Sequence, residues 1–227
     1  MKNNFKLLLV LLLLLFSMSK SYSDEIKFEA TEIIIKEDGN LIEAIGGAKI
    51  EASNGVEIKS DKFSYDKIKS IAYVKDNVVI LDVKNNVYIT GDNFIYFKND
   101  EKIVSESIVK INFDKKYFLE TRNIEYLINN KTILSNDKTQ MKDTDGNSFI
   151  VDKFKFLISD KLFNEEKLKF LDNKDNEYLF ENAVVRLTDK RILGKDFHLN
   201  FSKKTFGNIN QDPRLKGTSV TVDNNTT

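Results

Sequence analysis

Asp61-Lys62-Phe63-Ser64-Tyr65 returns along the chain as Asp92-Asn93-Phe94-Ile95-Tyr96, Arg122-Asn123-Ile124-Glu125-Tyr126 and Asp152-Lys153-Phe154-Lys155-Phe156, at offsets of 31, 30 and 30 residues. A weaker copy, Lys195-Asp196-Phe197-His198-Leu199, follows after 43 residues. The longer interval has room for an extra hairpin turning at Asp172-Asn173-Lys174-Asp175-Asn176. Each copy alternates apolar and polar residues with the period of two expected of a strand buried on one face. A unit of about 30 residues cannot bury such a face alone, so neighbouring units must stack into one elongated domain.

Between the copies, Val78 and Ile80 lead to Lys84-Asn85-Asn86 and then Val87 and Ile89, so a unit reads as about three short antiparallel strands. Upstream, Asp38-Gly39 and Asn54-Gly55 lie between alternating runs and mark hairpins, because these pairs tolerate the positive φ of tight turns. Gly46-Gly47 reads as another turn. Helical periodicity is weak; the nearest candidate, residues 159–171, suits a turn and a strand at least as well.

The 227 residues carry 35 basic and 35 acidic side chains, which leaves no excess of positive charge to hold nucleic acid. With no cysteine and one histidine, His198, disulfides, thiolate zinc sites, cysteine nucleophiles and two-histidine metal sites are all excluded. Seventeen Phe and eight Tyr argue for a folded, β-rich chain. Residues 1–23 read as a signal peptide: Lys2 and Lys6 precede an apolar run over 7–16, and small residues Ser21 and Ser23 precede Asp24. That run is too short to span a bilayer, which takes roughly 20 residues. The mature chain then carries three more acids than bases.

The paired aromatics Phe63/Tyr65, Phe94/Tyr96, Ile124/Tyr126 and Phe154/Phe156 should face one side, either filling a closed sandwich core or lining a long apolar trough. Glu165-Glu166, Asp143/Asp145 and Asp172/Asp175 could be read as glycosidase acids or calcium ligands, but each sits among lysines in a turn and reads as a solvated loop. His198 alternates with Phe197 and Leu199 on a strand and reads as a surface or lumen-edge residue.

The order Phe28-x-Ala30-x-x-Ile33, Gly39-Asn40, Gly46-Gly47-Ala48-x-Ile50, Asn54-Gly55-Val56-x-Ile58, Asp61-x-Phe63-x-Tyr65 resembles the OstA-like domain of the lipopolysaccharide-transport family, shared by LptA and the N-terminal region of LptD. A second unit, Asp76-Asn77-Val78-x-Ile80 through Gly91-Asp92-x-Phe94-x-Tyr96, repeats the pattern, and the resemblance covers roughly residues 26–201. Phe206-Gly207-Asn208 and Asp212-Pro213-Arg214-Leu215-Lys216-Gly217 resemble the segment that joins the LptD domain to its barrel, whereas the cysteines common near that domain are absent. LptA-like and LptD-like roles both stay open, with an outer-membrane barrel as partner if the chain is part of a longer protein.

The resemblance implies an all-β, elongated, twisted, V-shaped antiparallel β-jellyroll over residues 24–201, followed by a polar tail or linker over 202–227. It implies a periplasmic, non-enzymatic protein without a cofactor or metal, whose interior shields the acyl chains of lipopolysaccharide. The expected lining, taken from the alternation, is Ile50, Val56, Ile58, Phe63, Tyr65, Val78, Ile80, Val87, Ile89, Phe94, Tyr96, Leu119, Ile124, Tyr126, Phe149, Phe154 and Phe156. Phe28, Ile33, Ile34 and Ile35 form the expected docking edge for a related β-jellyroll, end to end. The rival readings are a structural adhesin or scaffold module without lipid, and a polysaccharide-acting β-solenoid enzyme, whose acids would have to recur across repeats. Mass spectrometry of the exported protein should return a chain beginning at Asp24; a retained 1–23 segment would contradict the signal-peptide reading.

Overall fold

The computed structural model describes residues 26–203 and 213–223; the expected signal peptide and Phe206-Gly207-Asn208 lie outside them. Two short edge strands, β1 (Lys27–Glu29) and β2 (Glu32–Lys36), precede four long ones, β3 (Leu41–Glu51), β4 (Val56–Asp66), β5 (Ile71–Asp82) and β6 (Val87–Phe97). Short strands follow: β7 (Lys102–Ser105), β8 (Val109–Phe113), β9 (Tyr117–Thr121), β10 (Ile124–Leu127), β11 (Thr132–Ser135) and β12 (Thr139–Asp143). The series continues through β13 (Ser148–Val151), β14 (Phe154–Leu157), β15 (Leu162–Glu165) and β16 (Leu168–Leu171). Three long strands close it, β17 (Glu177–Arg186), β18 (Arg191–Asn200) and β19 (Arg214–Val222). Apart from two 3-10 turns every described element is a strand, and all pairings are antiparallel within one 19-stranded sheet. Residues 159–171 hold β15 and β16, and the extra hairpin joins β16 to β17 around residues 172–176.

The sheet is folded into two arms along a seam. One arm runs from β2 through half of each of β3 to β6 and on to β7, β10, β11, β14 and β15. The other runs from β1 through the complementary halves to β8, β9, β12, β13 and β16. Both continue across β17, β18 and β19, which again span the seam. In its short-strand region a repeat therefore contributes four strands, two to each arm, rather than three, because the chain crosses the seam twice per unit.

One inward row of partners crosses the first arm without a break: Ile42, Tyr65, Ala72, Tyr96, Ile103, Tyr126, Ile133, Phe156, Phe163, Val185, Ile192, Val222. Its counterpart on the second arm is Phe28, Ile50, Ile58, Ile80, Ile89, Ile111, Leu119, Met141, Phe149, Phe170, Tyr178, Leu199, Leu215. We call them the aromatic and the isoleucine arm. Their inner faces pack together as one core, with edge-on ring contacts between the arms at Phe28–Phe63 (5.4 Å), Phe113–Phe156 (4.0 Å) and Phe149–Phe163 (6.0 Å).

Where the long strands cross the seam their pairing slips by one residue, between Ile45 and Ala48, Lys59 and Lys62, and Lys75 and Val78. There β4 changes its inward parity, from Val56, Ile58 and Ser60 to Phe63 and Tyr65, whereas β3 (Ile42, Ala44, Ala48, Ile50) and β5 (Ala72, Val74, Val78, Ile80) keep theirs. Gly46-Gly47 is thus a bend inside β3, not a hairpin turn. Both glycines take the left-handed conformation (φ 81° and 72°), and Asp76-Asn77 do the same in β5 (φ 64° and 52°). The sheet also runs past residue 201, where the sequence places the end of the domain. Arg214–Val222 pairs with β18, turning Leu215, Gly217, Val220 and Val222 to the inner side, and its polar outer residues disguise it as a tail.

At the seam of β18 the Phe180 ring lies over Gly194, where an added Cβ would come within 2.0 Å of Phe180 Cδ1. Gly194→Ala should therefore cost about 1–3 kcal/mol in a denaturant titration. Combining it with Phe180→Leu should recover part of that loss; an unchanged midpoint for the single variant would show that the ring does not press on this strand.

Candidate functional site

The space between the arms is the only region of the described chain toward which every expected lining residue points. Ile50, Val56, Ile58, Val78, Ile80, Val87, Ile89, Leu119 and Phe149 lie on the isoleucine arm; Phe63, Tyr65, Phe94, Tyr96, Ile124, Tyr126, Phe154 and Phe156 lie on the aromatic arm. All are buried. The interior is therefore closed over most of its length, with the rings of the two arms in mutual contact. Alternation missed Ile103, Ile111, Phe113 and Phe163, which face the same space from the short strands β7, β8 and β15.

The two ends differ from the middle. At the N-terminal end Ile33 (46% exposed) and Ile35 (66%) of β2 pair with the inward Ala44 and Ile42, so they prolong the inner face of the aromatic arm into solvent. Ile34 pairs with Glu43 and faces outward, so of the three consecutive isoleucines only the flanking two belong to the mouth; Phe28 sits on the opposite arm in β1. At the C-terminal end Leu215 (51% exposed) prolongs the isoleucine arm. A cavity of about 560 Å³ opens there between Phe149, Phe170 and Tyr178 on one arm and Val185, Ile192 and Val222 on the other, rimmed by Asp145, Lys174 and Lys190.

Opposite the seam, the turns at the free ends of the arms are clasped across the gap. Ser53 N donates to Glu101 Oε2 (3.2 Å) and Asn54 Nδ2 to Asn129 Oδ1 (3.0 Å). The Tyr126 hydroxyl donates to Asp82, Lys161 pairs with Asp114, Tyr117 Oη donates to the Leu187 carbonyl (3.1 Å), and Lys190 pairs with Asp145. Burial, then the bond to Asp82, hold the Tyr126 phenol well above its usual range, and burial pushes Tyr117 up to about 12, so both hydroxyls stay donors. Asp82 is 1% exposed but also accepts from Asn85 N (3.1 Å) and Nδ2 (2.6 Å), which satisfies a carboxylate that would otherwise be costly to bury.

A family model described as OstA-like protein matches residues 23–145. The chain belongs to the OstA-like family. No curated protein matches it. Among solved structures this OstA-like chain is similar to LptH, the LptA homologous periplasmic component of the lipopolysaccharide transport device of Pseudomonas aeruginosa, at 10% identity and a TM-score of 0.25, over 62% of this chain and 81% of that one. It is also similar to the TCP10 domain of Danio rerio CPAP, at 12% identity and a TM-score of 0.16, over 80% and 99%. At such scores neither likeness bears on the site. Among the described residues no group of acids and histidine is arranged to hold a metal, and no helix is long and apolar enough to cross a membrane.

The OstA-like chain departs from its own repeat at the seam. Ser105 and Ser135 close successive corners, donating to the carbonyls of Asn93 (2.6 Å) and Arg122 (2.7 Å). The third position in that series is Glu165, which is 7% exposed, not solvated as its turn-like surroundings suggest. Its Oε1 has no partner, and β14 and β15 part beside it, their pairing ending at Phe156 and Phe163. His198 is exposed on the outer face, and Asp143 and Asp172 organise their own turns by accepting the backbone N–H groups of Asn147 (2.8 Å) and Asn176 (2.9 Å).

Burial lifts the Glu165 carboxyl to about 8, with the Glu166 charge adding to it and the Lys155 backbone N–H opposing it. The folded chain thus keeps a proton there that the unfolded chain releases near its ordinary pKa of 4.5. Between those values the native state binds more protons, so this group's contribution to stability is complete at acid pH and is lost as pH rises toward 8. Thermal unfolding followed from pH 5 to 9 should show Glu165→Gln gaining on the parent protein as pH rises, and parallel curves for the two would show the carboxyl to be ionised throughout.

Proposed function

We propose that this chain carries lipopolysaccharide in the periplasm as part of outer-membrane assembly, holding the acyl chains between its two arms and docking end to end with related β-jellyrolls. The observation that carries the reading is the pair of unbroken inward apolar rows, each of which runs on into solvent at one mouth, at Ile33 and Ile35 or at Leu215. A multi-acyl lipid loses about 0.8 kcal/mol for each methylene exposed to water, so passage through an aqueous compartment needs continuous apolar cover rather than one tight site.

The mouths support the docking half of the proposal. β1 and β2 at one end and β19 at the other each have a neighbour on one side only, and their free edges can accept a further strand. At the N-terminal end each arm finishes on one short strand, β1 or β2, and at the C-terminal end both finish on β19, so each end offers an open strand edge to a partner of the same architecture. The close packing of the interior favours one other reading, a scaffold module that never admits lipid.

A photo-crosslinking amino acid separates the two. At Phe94 or Phe154, both inward, it should capture lipopolysaccharide; at the outward positions Ile95 or Lys155 it should not. Equal labelling of the two faces, or none, would leave the scaffold reading standing.

A further inference from the structure

The turns that end the aromatic arm form a series of their own. Each begins with an N–H that donates to the preceding turn: Ile128 N to the Glu101 carbonyl (3.0 Å), Ile158 N to that of Lys131 (2.9 Å) and Leu187 N to that of Lys161 (2.8 Å). The accepting residues, with Lys190 as the next, are the last before a strand and share a left-handed conformation, with φ of 47°, 49°, 49° and 52° at Glu101, Lys131, Lys161 and Lys190. After Glu101 every member is a lysine. The strands of an arm lie about 4.8 Å apart, and each turn spans two of them, so the three ammonium groups recur at roughly 10 Å along one lip of the apolar interior.

The opposite lip supplies carboxylates: Asp114 takes Lys161 and Asp145 takes Lys190. Asp189, beside Lys190, is held by Arg186 (3.4 Å) and Arg191 (3.7 Å). The clasps can form only while the arms are closed. Lipid between the arms would separate the lips and part each lysine from its aspartate, at the level where the headgroup of an amphiphile with buried chains must emerge.

On the reading of the interior as an acyl-chain carrier, we propose that Lys131, Lys161 and Lys190 form a rail for the phosphate groups of the lipid headgroup, with Asp114 and Asp145 as placeholders that the phosphates displace. Phosphate carries more charge than a carboxylate and offers more acceptor oxygens to an ammonium, so the exchange runs in its favour. The aspartates compete with the ligand, and that gives the two lips opposite signatures.

Two probes, lipopolysaccharide and the same lipopolysaccharide stripped of its phosphates by phosphatase, would be titrated against the purified mature chain. Lys161→Gln and Lys190→Gln should each weaken binding of the phosphorylated probe about ten- to a hundredfold, the range of a hydrogen bond to a charged group, and leave the stripped probe unchanged. Asp114→Asn and Asp145→Asn should instead tighten the phosphorylated probe severalfold. All four side chains lie on turns outside the core, and matching unfolding midpoints would confirm intact folds. If lysine and aspartate variants shift binding in the same direction, the clasps are struts and the rail is wrong. Equal affinity of the unaltered protein for both probes would also overturn the rail while leaving the lipid carrier intact. Binding of neither probe would remove the carrier itself, and the rail with it.

Discussion

A β-strand turns successive side chains to opposite faces, so a strand that passes from one layer of a folded sheet to the other must bend at the fold with its apolar side still turned to the interior in both layers. In this chain the bend coincides with a one-residue slip in the pairing of the long strands. In β4 the inward side changes parity at the slip, from Val56, Ile58 and Ser60 to Phe63 and Tyr65, while β3 and β5 keep theirs and bend at the left-handed pairs Gly46-Gly47 and Asp76-Asn77. Two inward rows, facing each other along the described chain, follow from that bend. So do the interior, its two mouths and the lips opposite the seam.

Unequal forces hold the arms together. Burying one isoleucine or phenylalanine stabilises a fold by roughly 1.5–3 kcal/mol, and each inward row is built of such residues from end to end. A partly exposed clasp such as Lys161–Asp114 contributes about 0.2–1 kcal/mol. Closure is therefore driven by the apolar faces, while the clasps set which turn of one arm meets which turn of the other. The same imbalance suits a lipid carrier, because an acyl chain inserted between the arms replaces apolar contacts with others of the same kind and disrupts only weak polar links.

Glu165 shows how a repeat can be altered at one position without losing its geometry. Serines close the corners before it with a hydroxyl small enough to reach a neighbouring carbonyl. A glutamate in that place is longer, and its protonated carboxyl fits a buried corner where a carboxylate would not. The parting of β14 and β15 beside it marks where the repeat gives way.

The period-two alternation of Phe63/Tyr65, Phe94/Tyr96, Ile124/Tyr126 and Phe154/Phe156 settled the all-β architecture, the stacking of units and the side on which these residues fall, because side-chain parity is a local property of the strand. The seam was not legible in that way. Gly46-Gly47 reads as a turn when the alternation is followed along the chain, and only pairing to β4 on both sides of it shows a bent strand. Arg214–Val222 reads as a tail because its outward residues are polar, and it became a strand only through β18. The burial of Glu165 and the meeting of Lys161 with Asp114, 47 positions away, were equally hidden. Local sequence specifies which face of a strand is apolar. Which strands share a face, which acids lie under another layer and which turns meet across a gap depend on how the sheet folds along its seam, and that was decided by the tertiary structure.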